Sequence, residues 1–360
     1  AKLLIITNSK LKESAAEYAQ YKVSKGYTTL LLTTDEIYDQ FYYGVHHPLA
    51  IKNLSSFLLK RAANKPEYLF LLGKGYETPK TNLQEDLVPT MGYPASDSFF
   101  TSEIIDNNLA PALATGRVPA KNNDEVRIYL EKLKLYDNQP DSIWRKNIIN
   151  ISGGKNSGED ISFSNYLNSF SNVASKEYFG AKTISFYKSV TDPITDNLMA
   201  KISEQINKGV SLLSFLGHGS TTGTAVSIGN PAFLSNKDKL LFYLINGCST
   251  GNAFTTGSLG EDYIFQPQKG AIGWIGTSSE GMASYLSNFT SLFYQSSFNT
   301  NYGASISKNM LLSTRAYQNG TDVFNRAHTR QYIFLGDPTV SFYSPSQPDY
   351  EVKSEYIGIN

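Results

Sequence analysis

The 360-residue chain contains a single cysteine, Cys248, and therefore cannot form an internal disulfide. Cysteine usage consequently does not identify an oxidising compartment. No apolar run approaches the roughly 18 residues needed to span a bilayer. Lys and Arg together number 32, as do Asp and Glu, so the formal net charge is zero. This balance indicates neither a nucleic-acid-binding surface nor a polybasic membrane patch. We expect no nucleic-acid partner and no transmembrane segment.

The composition is that of a folded chain. Hydrophobic residues make up 41% of the sequence and aromatic residues 13%, which excludes a disordered protein. The length suits a large α/β domain or two joined subdomains. Charged residues are only 18%, while Ser, Thr, Asn and Tyr are abundant, a composition mildly typical of secreted bacterial proteins. Because residues 3–7 already form a strand pattern, we interpret the chain as the middle of a longer precursor.

Strand and helix patterns alternate along the chain and predict a mainly parallel sheet with helices on both faces. The predicted strands lie at residues 3–7, 28–33, 68–72, 113–115, 148–151, 183–187, 210–216, 240–247, 271–275, 332–335 and 339–343. The predicted helices follow a 3.6-residue apolar period or a capping signal. They lie at about 14–25, 48–58, 123–133, 161–173, 194–207, 259–265, 285–298 and 304–317.

A polar, proline-containing segment at residues 138–142 is the best candidate for a linker between subdomains. We therefore predict an N-terminal α/β subdomain at residues 1–140 and a C-terminal α/β subdomain at residues 141–343. A second segment with two prolines follows at residues 344–348 and indicates an exit linker.

Two of the predicted strands each end at a glycine and deliver one reactive side chain. Residues 210–216 lead into Gly217, His218 and Gly219, and residues 240–247 lead into Cys248. The carboxyl ends of parallel strands are where open α/β sheets bind ligands, so the imidazole and the thiol should meet there. An imidazole nearby lowers the pKa of a thiol and supplies the nucleophilic thiolate. The backbone N–H groups of Gly219 and Cys248 are candidates for an oxyanion hole. These groups together indicate acyl transfer on a peptide bond.

The alternative for each residue taken alone is a structural role. Free cysteines are among the most buried residue types, and a lone histidine beside an apolar run is more often structural. The matched setting of the two residues favours chemistry. The other three histidines have simpler interpretations, since His46 and His47 lie at a helix start and His328 lies in a polar stretch.

An ordered set of segments resembles the caspase-like cysteine peptidases and, within them, the gingipain family, peptidase family C25. The matching segments span the chain to about residue 343. They are Ser96-Asp97, Gly116-Arg117-Val118-Pro119, Gly217-His218-Gly219-Ser220, Asn236-Lys237-Asp238-Lys239, Asn246-Gly247-Cys248, residues 269–278 and Leu335-Gly336-Asp337-Pro338-Thr339.

This resemblance implies a caspase-like fold of two α/β subdomains and a cysteine endopeptidase acting through a thioester. His218 would be the general base and acid and Cys248 the nucleophile, with a protein or peptide as substrate. Family members continue into an immunoglobulin-like domain, which residues 344–360 would begin. They are exported through the type IX secretion system, which implies a secreted or surface location and contact with that machinery. No cofactor is required for catalysis, but members often bind structural calcium, for which Asp97 and Asp106 are loop carboxylates.

The chain departs from the family pattern at two points. Gingipains carry a glutamate before a Gly-Gly pair to orient the catalytic histidine, whereas Ser152 occupies that position here. Another residue has to supply the acid, or it is missing. Arginine-specific members carry a pocket aspartate shortly afterwards, and Asp160 is the candidate for it. The alternative is that Glu159 and Asp160 are only first-turn helix residues favoured by the helix dipole. Leu216 and Ser278 complete the candidate substrate pocket.

Two other functions share these residues. A sortase-like transpeptidase of the type IX secretion system would use the same dyad and pass the acyl group to an amine. A degenerate peptidase domain would serve as a surface scaffold or adhesin module, an alternative motivated by the absent glutamate. The sequence favours the cysteine endopeptidase and keeps the other two functions as alternatives.

Overall fold

The computed structural model describes residues 1–77, 85–105, 109–187, 195–318 and 322–347. The prediction for Asp106 and most of the predicted exit segment, residues 348–360, lie outside these ranges. Within them, ten strands form one continuous sheet in the order β2-β1-β3-β4-β12-β11-β10-β7-β5-β6. These strands are β1 Leu3–Thr7, β2 Thr29–Thr33, β3 Tyr68–Leu72, β4 Ala114–Val118, β5 Asn147–Gly153, β6 Lys182–Tyr187, β7 Leu212–Gly217, β10 Leu241–Asn246, β11 Ala271–Thr277 and β12 Tyr332–Leu335.

Neighbouring strands of this sheet run parallel except for β12, which is antiparallel to β11. A small antiparallel hairpin, β8 Gly219–Ser220 with β9 Gly223–Thr224, follows β7. The predicted α/β class with a mostly parallel sheet is confirmed. Strands from residues 1–140 occupy one half of the sheet and later strands the other half. The halves join where β4 pairs with β12, at Arg117 and Leu335.

Ten helices of the described residues flank the sheet. They are α1 Lys12–Ser24, α2 Thr34–Phe41, α3 Leu49–Arg61, α4 Asn123–Asp137, α5 Ser157–Ala174, α6 Thr195–Lys208, α7 Leu259–Ile264, α8 Ala283–Gln295, α9 Ile306–Tyr317 and α10 Val323–Gln331. Two of them were not predicted. Helix α2 is short and begins directly after β2 with a capping box between Thr33 and Glu36. Helix α10 is so polar that only His328 and Thr329 are buried.

The predicted strand at residues 339–343 is wrong. In the structure the chain turns after Asp337, whose Oδ1 accepts hydrogen bonds from the N–H and the hydroxyl of Thr339. Such local bonds offer the backbone an alternative to a sheet ladder. Only an isolated bridge between Ser305 and Ser341 remains in this segment.

The central strands are buried on both faces, as expected where helices cover a parallel sheet. All residues of β10 and β11 are buried, as are those of β7 up to its last residue, Gly217. One apolar cluster runs from Leu3 and Tyr18 in the first half to Trp274 and Phe342 in the second. A fully buried Leu or Ile contributes roughly 1.5–3 kcal/mol. The strand ends that carry the candidate site are therefore set by a continuous core.

Candidate active site

His218 and Cys248 lie at the carboxyl edge of two adjacent strands. Strands β7 and β10 pair in parallel with Leu216 opposite Asn246, and each reactive residue follows two positions later. Both side chains line one cavity of about 480 Å³. The structure therefore brings together the imidazole and the thiol that the sequence pattern placed at separate strand ends.

The glycines beside His218 allow the strand ends to approach each other closely. A Cβ atom added at Gly217 would lie 2.6 Å from the carbonyl oxygen of Gly153 on β5. A Cβ atom added at Gly219 would lie 2.6 Å from the Cγ2 atom of Thr250, in the loop after Cys248. Any larger residue at either position would push the histidine segment away from its neighbours.

Glu159 contacts the histidine. Its Oε2 atom lies 3.0 Å from Nε2 of His218 and also accepts the N–H of Lys155 at 2.8 Å. Glu159 is in the first turn of α5, whose cap residue Asn156 accepts the N–H of Glu159. The pairing of Gly153 with Gly217 brings the end of β5, and with it the start of α5, beside the histidine.

The electrostatics of this contact favour one tautomer of the imidazole. The hydrogen bond from the backbone of Lys155 and the one from His218 lower the pKa of Glu159 below its ordinary value. An ionised carboxylate can only accept hydrogen bonds, so Nε2 of His218 carries the hydrogen. In the neutral ring Nδ1 is then unprotonated and free to accept a proton.

Cys248 sits on a sharp turn after β10. The next residue, Ser249, adopts the left-handed region at φ +58°, which is uncommon for a residue other than glycine. The N–H of Ser249 donates to the carbonyl of Ser279 at 2.8 Å. The hydroxyl of Thr250 donates back to the carbonyl of Ile245 at 2.6 Å. These bonds hold the half-buried thiol at the cavity, with Sγ 3.8 Å from the carbonyl oxygen of Gly281.

The two amides predicted for an oxyanion hole follow β7 and β10, and their role stays a prediction. The N–H of Ala225 donates to the carbonyl of His218, just outside the β8–β9 hairpin. Hydrogen-bonded and non-hydrogen-bonded residue pairs alternate along an antiparallel ladder, so Gly219 and Thr224, the next pair, are non-hydrogen-bonded. The N–H of Gly219 then points away from the hairpin. The N–H of Cys248 makes no hydrogen bond to the described part of the chain.

The remaining predicted pocket residues are placed differently from one another. Leu216 lines the cavity. Asp160 does not line it, and its Oδ1 accepts the N–H of Gly154 at 2.9 Å. Ser278 is buried and donates to the carbonyl of Ala95 at 2.6 Å, away from the cavity. Ser152 is fully buried within β5.

The sequence interpretation missed Glu159 as the partner of His218. It assigned this residue only to the helix start. The available signal was the Asn156-to-Glu159 spacing, which is typical of a helix cap and says nothing about a third partner. The aromatic wall that α5 contributes to the cavity was missed as well, whereas the loop at residues 278–285 was expected to wall the pocket and supplies Gly281 and Met282.

Calcium was predicted at two loop carboxylates, and one of them, Asp97, is paired with an arginine side chain. Both oxygens of Asp97 accept hydrogen bonds from Arg117, each at 2.8 Å. Among the described residues, no group of three or more His, Cys, Asp or Glu side chains could hold a metal ion. Asp106 lies outside them, so the calcium site stays a prediction.

Among the residues that the structure describes, no helix is long and apolar enough to cross a membrane.

Comparison with known protein families identifies the chain. The model of peptidase family C25 matches residues 1–343. The chain belongs to this family. It is a cysteine peptidase, as the sequence resemblance predicted, and the transpeptidase and scaffold alternatives are not favoured. A search among curated proteins found no match to this C25 chain.

Solved structures share the fold of this C25 peptidase. The Arg-specific cysteine proteinase gingipain R superimposes with a TM-score of 0.76 at 17% identity, covering 96% of this chain and 78% of that one. The complex of pro- and mature domains of RgpB from Porphyromonas gingivalis gives 0.76 at 15% identity, covering 96% and 80%. Another protease structure gives 0.75 at 19% identity, covering 95% and 78%. The predicted caspase-like, gingipain-type fold is confirmed.

Proposed function

We propose that this C25 peptidase is an endopeptidase in which Cys248 is the nucleophile, His218 the general base and acid, and Glu159 the residue that orients His218. The observation that carries the proposal is a single cavity lined by all three residues, in which Glu159 holds Nε2 of the imidazole at 3.0 Å. This arrangement is the nucleophile, base and orienting group that covalent catalysis requires.

The reaction begins when Nδ1 of His218 accepts the thiol proton of Cys248. The thiolate attacks the carbonyl carbon of the scissile peptide bond, and the N–H groups of Gly219 and Cys248 bind the oxyanion. The imidazolium then gives its proton to the leaving amine, and a thioester remains on Cys248. Water, deprotonated by His218, hydrolyses the thioester and releases the acid product.

Glu159 contributes charge and orientation in both halves of this cycle. Its carboxylate keeps the Nε2–H tautomer in place and stabilises the imidazolium that forms when the thiol proton is transferred. The hydrogen bond from the N–H of Lys155 holds the carboxylate in position, and the same oxygen still accepts the hydrogen bond from the histidine.

The location of the enzyme is also part of the proposal. The gingipain-like sequence segments and the low charge content support a secreted or surface peptidase that is exported through the type IX secretion system, with a protein as substrate. Cell fractionation of the native producer tests this. Recovery of the enzyme from the medium or the outer surface is expected, and recovery only from the cytosol would contradict it.

The catalytic assignment is tested with Cys248→Ala and His218→Ala on an unstructured protein substrate. Each variant should lose roughly 10³-fold or more in hydrolysis, because the nucleophile and its base act as a unit. His46→Ala removes a histidine in the other half of the chain and should retain activity. Full activity of Cys248→Ala would disprove the proposal.

The covalent step has its own readout. Cys248 is the only cysteine, so intact-mass measurement reports the modified fraction without digestion. Iodoacetamide at neutral pH should alkylate wild type faster than His218→Ala. Equal rates in the two proteins would mean that His218 does not activate the thiol.

A further inference from the structure

We propose that the cavity beside Cys248 and His218 takes an uncharged, largely apolar substrate side chain, aromatic or long aliphatic, before the scissile bond, and selects against Arg and Lys. The inference rests on the proposed function and specifies its substrate class. It follows from what lines the cavity and from where the nearby carboxylates point.

The walls of the cavity are apolar on several sides. Phe163 and Tyr166 contribute from α5, Leu216 from the end of β7, and Met282 and Leu286 from the start of α8. The volume of about 480 Å³ lies within the range of ligand pockets, roughly 300–1,000 Å³. A long or aromatic side chain would therefore lose most of its contact with water on entering.

Among its described lining residues, the cavity offers a basic side chain one carboxylate, which is already bonded to the histidine. Of the described residues that line it, Glu159 alone carries a carboxylate. Its Oε2 atom already accepts hydrogen bonds from His218 and Lys155. A substrate cation beside it would also face the imidazolium that forms during the reaction. Burying a charge whose one possible partner is shared with the histidine is costly, so Arg and Lys are disfavoured.

Asp160, the neighbouring carboxylate, is turned away from the cavity. Its Oδ1 atom accepts the N–H of Gly154, and a Cβ atom added at Gly154 would lie 2.6 Å from that oxygen. Moving this carboxylate into the cavity would break the bond to Gly154. The residue that would confer arginine specificity by sequence position is thus used to hold the β5–α5 connection.

Two polar side chains that line the cavity are already paired. The amide of fully buried Asn246 donates to the hydroxyl of Thr290 at 2.9 Å and accepts from the hydroxyl of Tyr332 at 2.7 Å. The hydroxyl of Ser162 donates to the carbonyl of Gly158 at 2.9 Å. These two groups therefore offer little to a substrate side chain, and the apolar walls provide most of the contact.

Met282 forms the exposed wall of the cavity and is held by its backbone. Its N–H donates to Nε2 of buried His328 at 3.0 Å, while 44% of the residue remains exposed. The flexible thioether can adapt to aliphatic and aromatic side chains alike. It also offers a position where charge can be introduced without disturbing the core.

The test is a fluorogenic peptide series on the full chain that differs only in the residue before the scissile bond. Norleucine and lysine form the matched pair, because they share the aliphatic chain and differ in the ammonium group. We expect kcat/KM for norleucine, leucine, methionine and phenylalanine to exceed that for lysine and arginine by roughly 30-fold or more. A preference for lysine or arginine would overturn the inference.

A charge-introducing variant sharpens the test. Met282→Asp places a carboxylate at the wall, and Met282→Asn is the uncharged control of the same shape. The ratio of lysine to norleucine hydrolysis should rise roughly fivefold or more in the Asp variant relative to the Asn variant. An unchanged ratio would show that Met282 does not face the bound side chain and would overturn the proposed pocket.

The outcomes separate this inference from the proposed function. If peptides are cleaved with a basic preference and Cys248→Ala is inactive, the pocket inference fails while the catalytic assignment stands. If Cys248→Ala cleaves the series as fast as wild type, the proposed function fails and takes the inference with it.

Discussion

Glu159 combines a structural contact with a contact to the candidate base. It closes the first turn of α5 through the N–H of Lys155 and reaches Nε2 of His218 with the same oxygen. The family pattern places the acid at Ser152, which is fully buried between β6 and β7. A carboxylate at that position would be desolvated, whereas Glu159 reaches the histidine from a solvated helix start.

Replacing Glu159 by Gln should lower kcat/KM by about 10- to 100-fold, because the imidazolium loses its charged partner. Gln can still accept the N–H of Lys155, so the fold should persist. Glu125→Gln is a matched control, since Glu125 makes the same cap contact in α4 by accepting the N–H of Lys121 at 2.7 Å, with Asn122 as the cap residue.

The pH dependence of Cys248 alkylation distinguishes a role of Glu159 in orienting His218 from a role only in stabilising the helix. Glu159→Gln should change that profile, and Glu125→Gln should leave it as in wild type. If both variants lose activity to the same extent with wild-type alkylation profiles, Glu159 serves only as a helix cap.

The contact between Glu159 and His218 should survive mild acid. The hydrogen bonds from Lys155 and His218 depress the pKa of Glu159 from its ordinary 4.5. The stabilisation is therefore complete above that ordinary value and disappears as pH falls through the lower folded-state value. NMR of the histidine ring nitrogens should show the Nε2 hydrogen bond at every pH above about 4.5. Its loss at a higher pH would contradict the assigned contact.

A buried ion pair ties the first half of the chain to the element that follows the nucleophile. Lys74, just after β3, lies 2.6 Å from Glu261 of α7 and donates to the carbonyl of Ala253 at 2.7 Å. Both charged side chains are buried. Burial lowers the pKa of Lys74, and the charge of Glu261 opposes that shift. The loop between Cys248 and α7 is thus anchored from outside its own subdomain.

Lys74→Met should destabilise the protein by about 3–5 kcal/mol, because Glu261 is left buried without a partner. The double variant Lys74→Met/Glu261→Leu should recover most of this loss, since an apolar pair of similar size fits the site. Urea denaturation measures both. Lys208→Met breaks an exposed pair with Glu204 and should cost about 1 kcal/mol or less. If the double variant is less stable than Lys74→Met, the pair is not coupled as described.

The elements that the sequence predicted well are those with strong local signals. The apolar runs before His218 and Cys248 are β7 and β10, because a strand buried on both faces has no polar positions. Helix α10 was missed because its residues are mostly polar and its burial depends on packing. The strand at 339–343 was over-predicted because Asp337 redirects the backbone of Thr339 through side-chain hydrogen bonds.

The sheet and its core join the two predicted subdomains. Tyr18 donates to Asp337 at 2.6 Å, Lys22 lies 3.1 Å from the same carboxylate, and Tyr129 donates to the carbonyl of Ile272 at 2.9 Å. All these groups are buried and belong to opposite halves of the chain. The boundary near residue 140 stays a prediction, but the contacts across it indicate one cooperative unit.

Unfolding should therefore occur in a single transition. Asp337→Asn removes the partner of buried Lys22 and should cost about 3 kcal/mol. In this variant, backbone amides of β1 and β3 should lose protection from hydrogen exchange by about as much as those of β10 and β11, as measured by mass spectrometry. Two separate calorimetric transitions, with only β10 and β11 affected by the substitution, would show that the halves are independent.

The sequence established the fold class and the two strand ends that carry His218 and Cys248, because each is encoded by a local run of residues. Apolar strands followed by Gly217 and Gly247 place His218 and Cys248 at one sheet edge in any parallel arrangement of neighbours. Only the tertiary structure decided which acid contacts the histidine and which side chains line the cavity. Both features depend on β5 lying beside β7 and on the different partners that the Glu159 and Asp160 side chains take. The local spacing of apolar residues does not encode either of these.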